Sequence, residues 1–382
     1  DAPSPVAAPQ TRDCSPELVA RGRSLFFEET FAGNGTTCGT CHADADGLAL
    51  SPVTVASRSS TDPLFLAAQG DAEARRLLDE CALIPVDLDL PPTVTALDGR
   101  SRVRVYRAVP PILGAADTAP YMHDGRHETL EAQAAAALDA HFGEHRAASA
   151  DELSAIAAFE RCLEPPPSPA RPDDAVARGR ALFDGRALCA QCHGGPWLHR
   201  SAGAVGPVFR DVSARTAAGA CSPPQLSLRL RVPGSGETVV RTVTDPGLAA
   251  ITGNLADLGK LDVPQLRGLT LTAPYFHDHA ASDLSEVLDH YDALFALDLT
   301  GAERSDLIAF LESPNLELPP PPPPPPPATD GGVTDGGAGT SPLANGGCSI
   351  ASRTRGPLAL AVSACIILVC LRPFARRSAT RR

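Results

Sequence analysis

Two runs in this chain have residue types and spacing that can do chemistry: Cys38-Gly39-Thr40-Cys41-His42 and Cys189-Ala190-Gln191-Cys192-His193. Cys-x-x-Cys-His is the attachment pattern of a c-type haem. Its two thiols become thioethers to the porphyrin vinyls, and the histidine is placed as proximal ligand to the iron. A zinc ribbon would set its two cysteine knuckles about 15–20 residues apart, whereas these lie roughly 150 apart. A thioredoxin-like pair needs no histidine after its second cysteine, and here one follows twice. The reading is two covalently bound haem c groups. Cys38, Cys41, Cys189 and Cys192 hold them, and His42 and His193 are the iron ligands.

The elements that position these runs are themselves repeated. Ala20-Arg21-Gly22-Arg23-Ser24-Leu25-Phe26 precedes the first run and Ala177-Arg178-Gly179-Arg180-Ala181-Leu182-Phe183 the second. Farther on, Ala119-Pro120-Tyr121-Met122-His123-Asp124-Gly125 answers Ala273-Pro274-Tyr275-Phe276-His277-Asp278-His279, and each half closes on a similar amphipathic stretch, 150–159 and 302–310. Order and content are both kept, so the chain is a duplicated domain with one haem per half. The halves are placed at 12–164 and 171–318, separated by a short stiff connector, Pro165–Pro169.

Composition bounds the partners. Seven arginines and no acid lie in 348–382, which leaves 26 basic against 45 acidic residues in the remainder. Such a surface repels nucleic acid and suits a basic redox partner. Of eleven cysteines, four belong to the haem runs, and Cys14, Cys81, Cys162 and Cys221 remain in the globular part with their pairing open. Haem attachment of this kind and disulfides both occur outside the cytoplasm. The start, Asp1-Ala2-Pro3-Ser4-Pro5, reads as a chain whose leader has been removed.

Residues 319–347 form a Pro/Gly-rich linker with too little apolar surface to fold. The tail, 348–382, holds Gly347-Cys348, an apolar run from Pro357 to Leu371, and an arginine cluster. It reads either as a short C-terminal membrane helix or as a sorting signal resembling those of myxobacterial surface proteins. Its partners would be a membrane or a sorting protease. The expected location is extracytoplasmic, in the periplasm or at the cell surface, tethered through the tail.

From Cys14 to Leu318 the chain resembles the dihaem cytochrome c peroxidase and MauG-like superfamily, on the paired CxxCH runs, the distant APYxHD runs and the duplication. The resemblance implies a mainly α fold of two tandem cytochrome c-like domains. The first and last helices of such a domain pack together, which would place Cys14 beside Cys162. It also implies an N-terminal haem that reacts with hydrogen peroxide and a C-terminal haem that stores or relays electrons.

Transferred residue by residue, Gln133 falls on the family's distal glutamine. The distal acid position falls within one residue of Glu144, with His141 close by. Tyr291 falls on the sixth-ligand position of the second haem, which is Met in the peroxidases and Tyr in the MauG-like enzymes. Its neighbour His290 is the rival ligand there, as Met122 is at the first haem. The bridging tryptophan is replaced by His123, and the histidine that blocks the first iron in the peroxidases is Arg58. Of an interdomain calcium site, Thr272 and Pro274 match while the Asn position is Ala108. Trp197, the sole tryptophan, follows the second run and is expected on that porphyrin.

Three functions compete. The first reduces hydrogen peroxide at the N-terminal haem with electrons relayed through the C-terminal haem from a small redox protein, a cytochrome c or cupredoxin. The second turns the same oxidising power on a partner protein. The third is a non-catalytic surface electron carrier.

Overall fold

The computed structural model describes residues 13–164, 171–195, 198–199, 208–212 and 221–313. The first half runs α1 (Pro16–Glu28), α2 (Cys38–Cys41), α3 (Pro52–Ser57), α4 (Ala72–Cys81), β1 (Leu83–Asp89), β2 (Val94–Ala96), β3 (Arg102–Ala108), α5 (Leu130–His141) and α6 (Ala150–Arg161). The second runs α7 (Asp173–Asp184), β4 (Phe209–Arg210), β5 (Leu226–Arg231), β6 (Thr238–Val243), α8 (Ala249–Thr252), β7 (Leu261–Asp262), α9 (Leu284–Phe295) and α10 (Gly301–Glu312). Pro165–Pro169, Trp197, the Pro/Gly-rich linker and the tail lie outside the described residues.

The repeated Ala-Arg-Gly-Arg run has a steric cause. A Cβ added to Gly22 on α1 would stand 1.9 Å from the carbonyl oxygen of Ala155 on α6, and one added to Gly179 on α7 would stand 1.9 Å from that of Asp306 on α10. Only glycine lets the first and last helices of each half approach so closely. The crossing is then filled by a phenylalanine pair in each half, Phe26–Phe159 with centroids 5.2 Å apart and Phe183–Phe310 with centroids 5.1 Å apart. The closing helices start alike as well. Ser149 with Glu152 and Thr300 with Glu303 each form a capping box.

The architecture is mainly helical, with sheet that the motif-based reading did not anticipate. β1 and β3 pair antiparallel, with Val103 and Val105 buried and Arg102 and Arg104 exposed in alternation. Arg102 bonds Asp89 and Arg104 bonds Asp87 across the ladder. β2 of the first half pairs with β5 of the second, and β5 with β6, so one three-stranded sheet spans both halves. Leu228 and Leu230 of β5 are completely buried there, in one cluster with Val94.

Two disulfides complete the frame. Cys14–Cys162 joins the residues flanking α1 and α6, and Cys81–Cys221 ties the end of α4 to the second half. Among the described residues no helix is long and apolar enough to cross a membrane.

Candidate haem sites and the seam between them

Each Cys-x-x-Cys-His run is wound into a single turn that gathers its thiols and aims its histidine. In the first half, Thr37 and Thr40 cap α2 reciprocally, which puts Cys38 and Cys41 three residues apart on one face. The His42 amide closes the turn on Cys38 O at 3.0 Å. In the second half the His193 amide closes on Cys189 O at 2.8 Å.

The imidazoles are oriented by their own loops. His42 Nδ1 donates to Leu48 O at 2.8 Å, while His193 Nδ1 donates to Leu198 O at 2.9 Å and Pro264 O at 3.1 Å. A protonated, anchored Nδ1 leaves the Nε2 lone pair for a metal, the usual arrangement of a ligating histidine. Burial keeps both rings neutral, with His193 lowered to about 4.

The four thiols are unbridged. Burial pushes Cys41 up to about 12 and Cys189 up to about 11, with Cys38 raised further still. A thiol so reluctant to ionise is a poor redox nucleophile, and among the described residues no group of three or more histidine, cysteine or carboxylate side chains is gathered as a zinc site requires. The donor sets therefore fit a group attached through sulfur and ligated through one imidazole nitrogen, which is haem c.

The two halves differ along the repeated segments that lead into α5 and α9. Residues 121–141 and 275–295 run in register without a gap, and both copies pair alike, Tyr121 with His127 and Tyr275 with Ala281. Met122 and Phe276 occupy the same position with the same left-handed backbone, φ 72° and 69°. In this register Tyr291 on α9 corresponds to Ala137 on α5, and Phe295 corresponds to His141.

Tyr291 stacks on Phe295, with rings 4° from parallel and centroids 6.0 Å apart. Burial of its hydroxyl, with the nearby Cys189 and Cys192 thiols, raises its pKa strongly. Its neighbour His290 spends Nε2 on Val212 O at 2.9 Å.

In the first half the position equivalent to Phe295 lies at a cleft. His141 lines it together with Thr36, Thr40, Cys41, Leu64 and Ile84. Burial lowers the His141 imidazole below its ordinary value, so it is a neutral base at physiological pH. Gln133, Ala137 and His141 follow at four-residue steps and share one face of α5. Gln133 Nε2 lies 3.9 Å from Met122 Sδ. Glu144 is placed elsewhere: α5 ends at His141, Gly143 reverses the chain with φ 67°, and the carboxylate is exposed. Arg58, at the end of α3, pairs with Asp62 at 3.5 Å and is one of the charges felt by Cys41.

Where the two halves meet lies a polar seam. His123 and His277, equivalent in the repeat, sit edge to face with centroids 6.4 Å apart, each lowered to about 4 by burial. His123 Nε2 donates to Ala108 O at 3.0 Å. The buried Arg107 guanidinium bonds Asp245 of the second half at 2.6 and 2.8 Å and Asp124 of the first at 2.7 Å.

These residues do not fit the expected calcium site. Calcium takes six to eight oxygen ligands. Here Ala108 supplies no side-chain oxygen, its carbonyl is already used, and the seam carboxylates are neutralised by Arg107. Sequence reasoning missed this arginine and Ala137. The first has an alternation signal in β3, and the second is visible only when the two halves are aligned.

Comparison with known proteins places the chain among similar sequences and one similar fold. Residues 16–164 match a family model described as di-haem cytochrome c peroxidase. The cytochrome-c peroxidase IdrP1 of Pseudomonas sp. (strain SCT) is 28% identical over 351 residues, covering 82% of this chain and 85% of its own length. The methylamine utilization protein MauG of Methylorubrum extorquens is 25% identical over 364 residues, covering 82% and 83%. In fold, the chain is similar to a MauG-like protein associated with microbial copper homeostasis. The TM-score is 0.51 at 24% identity, over 82% of this chain and 94% of that one.

Proposed function

We infer that this chain, whose residues 16–164 match the di-haem cytochrome c peroxidase family model, carries two haem c groups and is a peroxidase-like enzyme reducing hydrogen peroxide at the first site. The second site relays electrons from a small redox protein, a cytochrome c or a cupredoxin. The observation that carries this reading is a contrast at equivalent positions of the repeat: His141 on α5 is a neutral imidazole lining a cleft beside Cys41, where α9 has Phe295, and Ala137 stands where α9 has Tyr291.

When bound, the first haem supplies the redox-active, Lewis-acidic centre at which an oxygen–oxygen bond is cleaved. His141, neutral and facing the cleft, takes the proton from the inner peroxide oxygen at its free ring nitrogen and returns it to the outer oxygen as that leaves. Gln133, on the same face of α5, donates its amide N–H to the charge developing there. The cleft walls, Leu64 and Ile84, exclude bulk water. The geometry supports His141 in the role that the sequence offers first to Glu144, because Glu144 lies past the end of the helix in solvent.

A second reading is supported by Tyr291. A phenol at the second site stabilises higher oxidation states, which suits oxidation of a partner protein as readily as of a small donor. The disulfides and the haem runs support an extracytoplasmic location.

The deciding experiment follows the purified protein during titration with hydrogen peroxide. Wild type is expected to react at near-stoichiometric peroxide. His141→Ala should slow that reaction by about 10²–10⁴-fold, and Gln133→Ala by about 10²-fold, with both haems still attached. An unchanged rate in His141→Ala would overturn the assignment of the base. Two irons indifferent to peroxide in wild type would leave an electron carrier.

A further inference from the structure

Glu160 on α6 is 4% exposed, and its Oε2 finds no hydrogen-bond partner among the described residues. In the register set by Phe159 and Phe310, its counterpart on α10 is Leu311, equally buried. The fold therefore asks only for an apolar side chain there, and the carboxyl is an addition of the first half. It is close enough to Cys38, the first sulfur of the first haem site, for its charge to bear on that thiol.

Arg161 beside Glu160 favours the carboxylate but is shared with Glu131, and burial outweighs it. From α2 it faces Cys38 and from α5 it faces Glu131, while on its own helix Arg161 is held by Glu131 at 2.5 Å. α1 turns Gly22 and Phe26 toward α6 and keeps Glu17, Arg21, Arg23 and Glu28 exposed. The turn at 115–117 presents Ala115, packed in one cluster with Ala157. Burial without a partner raises the Glu160 carboxyl to about 8, so it holds a proton at neutral pH.

We propose that Glu160 is a proton-carrying site coupled to the first haem, taking up and releasing one proton as the iron gains and loses one electron. The inference rests on attachment of that haem at Cys38 and Cys41. On reduction, one electron enters the iron from a one-electron donor and one proton moves from solvent onto the Glu160 carboxylate. On oxidation both leave. The added positive charge of the oxidised iron favours the carboxylate, and its loss favours the acid. The second half has Leu311 at the equivalent position, so no carboxyl stands there to couple with the second site in this way.

The test is a spectroelectrochemical titration of the holoprotein between pH 6 and 10, following each haem. In wild type the first potential should fall with rising pH, by up to about 59 mV per tenfold change in proton concentration. It should be flat over the same window in Glu160→Gln and in Glu160→Leu, which copies the packing of the other half. Infrared difference spectra between the two redox states should show a protonated-carboxyl band in wild type that both variants lose. The same slope in wild type and in the variants, or no such band in wild type, would overturn the proposal. Peptide mass spectrometry separates the two levels of failure: no haem on Cys38 and Cys41 overturns this inference together with the reading it rests on. Two haems with unaltered slopes overturn the inference alone.

Discussion

The two halves of this molecule share a frame and differ in what the frame encloses. The glycine crossings, phenylalanine pairs, capping boxes and anchored histidines recur position by position. The differences gather around the haem sites: Ala137 against Tyr291, His141 against Phe295, Glu160 against Leu311. Duplication gave two equivalent sockets, and a few side chains on α5, α6, α9 and α10 set them apart. Identical scaffold elements thus report on stability, and divergent ones on chemistry.

The largest effect tests the shared frame. Gly22→Ala and Gly179→Ala each drive a methyl group against a backbone carbonyl 1.9 Å away, where no side chain can give. Each should cost more than about 4 kcal/mol and abolish recovery of soluble, haem-loaded protein. If either is accommodated with a small change in Tm, the halves do not rely on the same crossing.

Next come the disulfides, which enclose loops of similar length but differ in what they join. Cys14–Cys162 spans 148 residues within the first half, and Cys81–Cys221 spans 140 residues between halves. The chain-entropy argument assigns each about 4–5 kcal/mol. Paired Cys→Ser replacements should therefore lower thermal stability by comparable amounts. A much larger loss for Cys81 with Cys221 would show that the halves depend on this tie more than on the shared sheet.

How far the sequence discloses this molecule follows from the physical origin of each signal. The haem runs and the duplication are legible because covalent attachment demands fixed residue types at fixed spacing. The repeated glycine is legible as a repeat, but its reason, a helix crossing, is visible only in three dimensions. The sheet has a local signal, the alternation of Arg102 to Val105, which a search for haem motifs passes over. The partner of Cys81 was not deducible, because pairing depends on which loops meet. Glu144 and His141 were inseparable by counting residues, since that count does not show where α5 stops. Ala137 carries no chemistry of its own. It becomes informative only opposite Tyr291.

The distal contrast can be broken in both directions. Ala137→Tyr should place on α5 the side chain that occupies this position on α9, and slow the peroxide reaction at least about 100-fold, roughly 2.7 kcal/mol in the barrier. Tyr291→Ala should open the second site, so that small exogenous ligands perturb its optical spectrum where they left the wild-type site unchanged. If Ala137→Tyr reacts at the wild-type rate, the open side of the first site lies elsewhere.

The smallest expected effect is a flat line. The base proposed on α5 has an ordinary value near 6.5, and burial moves His141 below it because the charged imidazolium loses its hydration. The neutral ring is the active form. The peroxide rate should thus change less than about twofold between pH 8 and 6.5, and fall only as pH drops through the lowered value and the ring takes up a proton. A solvated histidine would already be half protonated at pH 6.5, halving the rate there. His141→Phe, which copies Phe295, should lose this acid limb along with most of the rate. A wild-type profile that bends at 6.5 would place His141 in water, and an acid limb that survives in His141→Phe would assign the titration to another group.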